Sequence, residues 1–514
     1  MKFKVFLYIA ISSLVISQVS CKKFLEQEPK TALTQEQVFS RLENIEPLLT
    51  GLYTSWRNVR KDRGGFMFQL GGDESRQGNF QVNTDPDQSG LDKYNGFLAP
   101  RNNALTSQWD QRWPIVTAAA QAVFALQNNT EDEARRTRLQ GEASFIRAAV
   151  SFELAQYWGE IPVVDMAKTN EFGTRRQPLN TVYEYIINDL TYASEHLPET
   201  VEDKRRVTRY AALALLGKVY MYAPQESTFR DFQKAADNLD KVIKSGKYSL
   251  VANFADLFDA GKPNSVESIY EYQYTNTLPD NNQTQWQMGS RALANMDPNC
   301  YFGGYDLMLP TDYATKNVSA GGVWETGDKR MNASIRYDFT YKGKQPELLA
   351  GFGGDELDPH VKKFEDTRTD GTLSFWYSGK NIFYLRYADV LLCYAECLNE
   401  LGRTAEGVAI VNTQVRSRAF GGNVPSGLLW NTGMSQDEFR TKMMDERMRE
   451  LCFEGWRRMD LIRSGKFVQL IKERNKWSKE SGTIQEFHKR YPIPLNEILQ
   501  NTDIPPSDQN PGYN

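Results

Sequence analysis

Apolar residues recur every three or four positions along much of the chain, and strand-like alternation is scarce. That period is the mark of helices with one buried face. It predicts helices over Gln35 to Val59, Trp109 to Asn128, Glu131 to Trp158, Val182 to Leu197, Arg209 to Ala223, Phe232 to Ser245, Leu385 to Leu401, Ala405 to Arg418 and Gln436 to Arg463. Gly159, Pro198, Gly246 and Gly402 stand where four of these end, as expected of residues that punctuate helices.

Three segments share one pattern, large-x2-large-small-x2-large: Phe145, Ala148, Ala149 and Phe152; Leu213, Leu216, Gly217 and Tyr220; Leu391, Tyr394, Ala395 and Leu398. Partner helices carry a small-x3-large step in Ala193 with Leu197, Ala235 with Leu239 and Gly407 with Val411. This is the signature of tetratricopeptide-like helical hairpins, in which a small residue lets the next helix approach closely. Gly407 stands where the pattern more often has Ala and is expected to weaken its helix mildly. The fold class expected is mainly α, built on such repeats, with long irregular loops and a few short strands. The loops are Gly64 to Asn103, rich in Gly, Asn, Gln and Asp, and Asn276 to Gly379, with many Asn, Gly and aromatic residues. Loops this long are usually functional.

The start of the chain reads differently. Lys2 and Lys4 precede a mostly apolar run from Val5 to Val19, and Ser17, Val19 and Ser20 lead to Cys21. The run is short for a membrane span and has the layout of a secretory signal over residues 1–20. It resembles a bacterial lipobox, with Cys21 lipidated and the first residue of the mature chain. Several acyl chains would hold a protein stably on a membrane. Residues 21–514 are then expected to form a single domain, with an N-terminal part to about 250 and a C-terminal part from about 260.

Composition adds exclusions. A net charge of -4 gives no basic face for nucleic acid. Cys393 and Cys397 lie four apart on a helix without further ligands near them in sequence, so they read as small buried residues, and no metal or cofactor is expected. No Walker loop, HExxH or G-x-S-x-G occurs. His196, His360 and His488 lack catalytic partners in sequence. Glu446, Glu450 and Glu454 follow at helical spacing among Arg447, Arg449, Arg457 and Arg458, which reads as an ion-paired helix face rather than as acid–base chemistry.

The mature start "CKKFLEQEP", then "RYADVLLCYAECLNELGR", "DERMRELCFEGWRRMDLIRSGK" and "YPIPLNEILQNTDIPPSDQNPGY" resemble the SusD/RagB family of outer-membrane nutrient-binding lipoproteins. The resemblance implies a cell-surface protein, lipid-anchored in the outer membrane. It would bind glycans, act as lid on a SusC-like TonB-dependent transporter, and carry no hydrolytic activity. Peptide binding, as in RagB-like members, is the alternative on the same scaffold. A surface hydrolase and a repeat protein that only docks other proteins fit less well.

The ligand site is sought in the loops. An aromatic plane stacks on the C–H face of a sugar, and Asp, Asn or Arg reads its hydroxyl rim. "GGDESRQGNF" supplies Asp73, Arg76 and Asn79, "LDKYNGF" supplies Tyr94, and the later loop supplies Trp286, Tyr301, Tyr305 and Trp324. The set expected to bind ligand is Asp73, Arg76, Tyr94, Trp286, Tyr301 and Trp324. Trp56, Trp109, Trp113, Trp158 and Trp456, on helices or at their ends, are assigned to packing, as are Tyr491 and Tyr513 in the proline-rich tail.

Overall fold

The computed structural model describes residues 35–164, 166, 174–373 and 375–513, so the leader over 1–20 and Cys21 lie outside the described residues. The frame is helical: α1 (Leu42–Asn58), α2 (Asn103–Asn128), α3 (Glu133–Trp158), α4 (Leu179–His196), α5 (Arg209–Tyr222), α6 (Phe232–Lys244), α7 (Tyr387–Glu400), α8 (Thr404–Ile410), α9 (Gln436–Leu451) and α10 (Arg457–Arg463). Side-chain caps fix several starts by satisfying backbone N–H groups that have no helical acceptor. Asp132 accepts from Arg135 N, Thr208 from Ala211 N, Asp231 from Lys234 N and Ser435 from Glu438 N.

From α2 to α8 each helix packs on the next in chain order, including α6 on α7 across the long segment 245–386. The small residues set the spacing. A Cβ on Gly217 would lie 2.7 Å from Leu239 Cγ and 3.2 Å from the Ala235 carbonyl oxygen, so α5 and α6 meet only because no side chain stands there. Gly407 corrects an expectation. A Cβ there would lie 2.7 Å from the Ala395 carbonyl oxygen, so the glycine is what allows α8 to close on α7, beyond any effect on helix propensity.

Short strands tie the segment 245–386 to the helices. Ser268–Tyr272 pairs antiparallel with Ile382–Arg386, and this ladder delivers the chain to α7. Ser75–Gln77 pairs with Met308–Pro310, joining the early loop to the late one. Trp56 of α1 sits where these layers meet, fully buried, with Tyr270, Tyr272, Tyr384 and Phe145 at ring centroid distances of 5.3, 4.9, 5.0 and 5.9 Å. The tail closes on the end of α3, where Asn510 Nδ2 donates to the carbonyls of Trp158 and Tyr491 at 2.8 and 2.7 Å.

Several helices break where periodicity ran on. The predicted Gln35 to Val59 helix divides into Gln35–Ser40 and α1 at the extended residue Arg41, and Leu42 N–H bonds Glu131 Oε2 at 3.0 Å in place of a helical carbonyl. Helix α2 starts earlier than predicted because Asn102 caps it, its side chain accepting from Leu105 N at 3.1 Å. The segment after α8 widens into a π-helix over Val411–Arg416. The predicted helix from Gln436 to Arg463 breaks between α9 and α10, where Phe453 and Gly455 take left-handed φ of 66° and 88°. The apolar side chain of Phe453 is fully buried, which sustains a conformation that a non-glycine residue seldom adopts.

The acidic face of α9 is ion-paired, but not as a helix surface. Glu446 and Glu450 are fully buried, and most of their partners come from far along the chain. Arg330 reaches Glu446 at 2.8 Å and Glu450 at 3.0 Å, Arg416 reaches Glu446 at 2.9 Å, and Arg386 reaches Glu450 at 2.6 Å. Burial alone would push both carboxyls up, but the surrounding guanidiniums outweigh it and hold them well below the usual carboxylate range.

Candidate functional site

Three expected ligand residues prove to be interior. Asp73 is fully buried and takes both arms of Arg457 at 2.7 Å and Arg474 at 3.0 Å. Burial would raise its carboxyl, but these two arginines hold it below its ordinary value. Tyr94 caps the Pro86–Lys93 helix in a left-handed conformation, and its hydroxyl donates to Gly71 O at 2.7 Å. Trp324 is fully buried and donates Nε1–H to Ala314 O at 2.6 Å. These side chains are spent on packing and cannot face a ligand. Gly-rich flanks suggested open loops, whereas long-range pairing folds those loops inward. Tyr301, half-buried against Phe302, belongs to a separate small core with Leu293, Cys300, Phe339 and Tyr341.

Trp286 and Arg76 lie at a different place, beside a cluster of half-buried rings. Trp286 is 7% exposed and tilts against Trp376 with centroids 4.4 Å apart. Tyr305 meets Trp286 edge-on at 5.1 Å and Trp376 at 5.3 Å. Next to them the Arg291 guanidinium lies 4.8 Å from the Tyr305 ring, 5.1 Å from Phe80 and 4.7 Å from Phe352, while Phe80 and Phe352 are 4.8 Å apart. Phe80, Tyr305, Phe352 and Trp376 each keep part of their surface in solvent. Together they form an aromatic platform threaded by one planar cation, a stable arrangement because a guanidinium stacks on ring faces.

Backbone bonds hold the platform. Tyr305 N–H donates to Trp286 O at 2.7 Å, and the Tyr305 carbonyl accepts from Gln81 Nε2 and Arg291 Nη2, both at 3.0 Å. Gly304 has to be glycine, because a Cβ there would sit 2.4 Å from the Trp286 carbonyl oxygen. Asn281 Nδ2 donates to Trp376 O at 2.8 Å, fixing that segment to the start of the Thr284–Met288 helix. Arg76 acts behind the rings. It pairs with Asp355 at 2.8 Å and Asp358 at 3.3 Å, and Asp355 also accepts from Asn79 N at 2.9 Å, so the loops bearing Phe80 and Phe352 are locked together. The Asp358 side chain remains 52% exposed at this rim.

Tyr305 was among the loop aromatics but outside the expected set, and Phe80, Phe352, Trp376 and Arg291 were missed. The available signals were Gly or Ser within two positions of each ring, in "GNF", "GFGG" and "FWYSG". The tryptophans assigned to packing do pack: Trp56, Trp109, Trp158 and Trp456 are buried, while Trp113 is partly so.

Two concavities lie elsewhere. A groove of about 540 Å³ lies over α2 beside Trp109, Trp113, Asp110 and Glu497. A pocket of about 520 Å³ between α6, α7 and α9 is lined by charges such as Arg230, Glu396, Arg440 and Arg463, most of them paired with one another. Among the described residues no group of three or more His, Cys, Asp or Glu side chains is placed to hold a metal ion. His360 is buried with Nε2 3.0 Å from Asp306, and burial pushes His488 down to about 4. Cys393 is buried too, and burial pushes its thiol up to about 12. No helix among the described residues is long and apolar enough to cross a membrane.

Comparison with known proteins agrees with this architecture. Residues 23–221 match the family described as starch-binding associating with outer membrane. SusD-like protein P2 of Formosa agariphila is 28% identical, with 97% of this chain and 98% of that protein aligned. The solved structure of a SusD homolog from Bacteroides thetaiotaomicron superposes with a TM-score of 0.77 at 22% identity, covering 94% of this chain and 99% of that one. A laminarin-binding SusD-like protein superposes with a TM-score of 0.74 at 24% identity, over 92% and 99% of the two chains. Residues 244–513, more than half of the sequence and including α7 to α10 with their buried ion pairs, match the SusD family model, and the chain belongs to the SusD family.

Proposed function

We propose that this protein binds glycans at the Trp286–Tyr305–Trp376 platform and passes them to a SusC-like TonB-dependent transporter beneath it, without cleaving them. The observation that carries the reading is the pair of partly exposed rings, Tyr305 and Trp376, seated on the buried Trp286 with polar groups at the rim, the arrangement that suits a sugar's apolar face and hydroxyl edge. The laminarin-binding relative on the same scaffold supports it. Cys21 would carry the lipid that tethers the domain to the outer membrane, facing the exterior. Glu446 and Glu450 of α9 are buried in ion pairs, and Asp355 and Asp358 at the platform's rim pair with Arg76, which supports holding ligand over a pair of carboxylates flanking a bond.

The test is a panel of polysaccharides and oligopeptides screened by affinity electrophoresis and calorimetry against the chain from Lys22 on, which retains every described residue, and against Trp376→Ala. Saturable glycan binding that the variant weakens about three- to tenfold, with no released products, is the expected result. Binding to peptides alone, or product release, would overturn it.

A further inference from the structure

The pocket of about 520 Å³ between α6, α7 and α9 shares no residue with the platform. Phe439, Met444 and Leu470 line it and are buried, none more than 8% exposed. Its four carboxylates are already engaged. Glu396 pairs with Arg463 at 2.7 Å, Glu400 and Asp437 pair with Arg440 at 2.7 and 2.5 Å, and Asp445 accepts from the Tyr313 hydroxyl at 2.8 Å with Arg474 3.6 Å away. Two of the cations that line it are not matched in turn. Arg230 is half-buried, and no carboxylate lies within ion-pairing distance of it among the described residues. Its Nη2–H donates to a neutral group, the Arg463 carbonyl, at 3.3 Å, which holds it at the end of α10, and its guanidinium lies 5.4 Å from the Phe232 ring centroid. Lys466, three residues beyond Arg463, donates Nζ–H to the Gln469 amide oxygen at 3.3 Å and likewise has no carboxylate partner among the described residues. Burial lowers the Arg230 guanidinium from its ordinary value and the charge of Arg463 lowers it further, against the pull of Glu400 and Glu226. Both of those acids are spent on other arginines, Glu400 on Arg440 and Glu226 on Arg490 at 3.1 Å.

A half-buried guanidinium without a counter-ion has lost hydration that no carboxylate makes good. An oxyanion entering from solvent makes it good through charge-assisted bonds, and the guanidinium fork matches carboxylate and phosphate geometry. The volume and the lining, buried apolar side chains with a few convergent polar groups, are those of a site for a small ligand. We propose that this pocket is a second binding site, separate from the platform, for a small molecule that carries a carboxylate or a phosphate on an apolar body. Arg230 and Lys466 hold the oxyanion, and the body packs on Phe439, Met444 and Leu470. The inference does not depend on what the platform binds.

The experiment titrates the chain from Lys22 on with three probes of one apolar body by calorimetry: benzoate, phenyl phosphate and the neutral benzyl alcohol, each at low and at moderate salt. At least one anionic probe is expected to bind saturably and about tenfold tighter than benzyl alcohol, with the advantage shrinking as salt screens it. Which of the two binds tells carboxylate from phosphate. Arg230→Gln is expected to cut the affinity for that probe about tenfold, Lys466→Gln to cut it less because Lys466 is exposed, and Arg230→Lys to retain part of it. Neither side chain is buried, and thermal melts of each variant confirm that it is folded. Equal affinity for benzyl alcohol overturns the anion preference. Anionic binding that Arg230→Gln leaves unchanged overturns the site, and no binding of any probe overturns the proposal outright, while leaving the glycan reading of the platform standing.

Discussion

Glu450 is where the structure is most exposed to a single change. Its carboxylate accepts from Arg330 at 3.0 Å, from Arg386 at 2.6 Å and from Arg418, and none of the four side chains is more than 4% exposed. These arginines come from the long loop, from the strand before α7 and from the end of the segment after α8, so one carboxylate joins three parts of the chain. Glu450→Gln keeps the volume and removes the charge. Arg330 retains Asp328 and Glu446, Arg386 retains Glu267 and Glu454, but Arg418 keeps Glu267 alone, at 3.2 Å. Breaking a buried pair from one side costs about 3–5 kcal/mol. Unfolding entropy of roughly 2.1 cal/mol/K per residue makes about 1 kcal/mol/K for a chain this long, so Tm should fall by about 3–5 °C. Calorimetry at pH 7 measures it. The Glu450 carboxyl is held below its ordinary value of 4.5, so its stabilisation is complete above that pH and is lost as pH falls towards the folded value; the gap between wild type and variant should therefore narrow below about 4.5. Adding Arg418→Gln should cost less than the sum of the two single changes. A Tm drop under about 1 °C at pH 7, or strict additivity, would refute the claim that this network holds the loop to the helices.

The other expectations are more local. Glu74 is buried with Oε2 lacking a partner, and burial pushes its carboxyl up to about 8, so it costs stability as pH rises from 4.5 towards 8; Glu74→Gln should raise Tm at pH 8 and change it little at pH 4.5. Gly217→Val should loosen α5 from α6, because even a Cβ meets Leu239 Cγ at 2.7 Å, and should lower Tm by a few degrees or abolish folding, as read by thermal melts. Trp376→Ala should weaken glycan binding about three- to tenfold in calorimetry with the fold intact, from the roughly 0.5–1.5 kcal/mol of an aromatic contact. Trp324→Ala should instead destabilise the protein by about 3–5 kcal/mol in urea unfolding, whatever it does to binding.

The helices were legible in the sequence because their information is local. A 3.6-residue apolar period, a capping Asp or Thr, and a Gly or Pro at the end are written into neighbouring residues, and the small residues at Gly217 and Ala395 announced which helices would meet. The SusD family could be read for the same reason, since its motifs are contiguous. The breaks at Arg41 and Phe453 were not legible, because the first depends on Glu131 and the second on burial of a ring against distant parts of the chain. The site was hardest. Asp73, Tyr94 and Trp324 look no different in sequence from Tyr305 and Trp376: each is a polar or aromatic residue in a loop. What divides them is whether Arg457, Gly71 or Ala314 closes on the side chain from elsewhere, or whether neighbours such as Trp286 and Arg291 hold it at the surface. Local pattern determined which segments would be helices and in what order they stack. Only the tertiary structure decided which loop rings would be core and which would keep a face in solvent, because burial is a property of pairs of residues far apart in the chain.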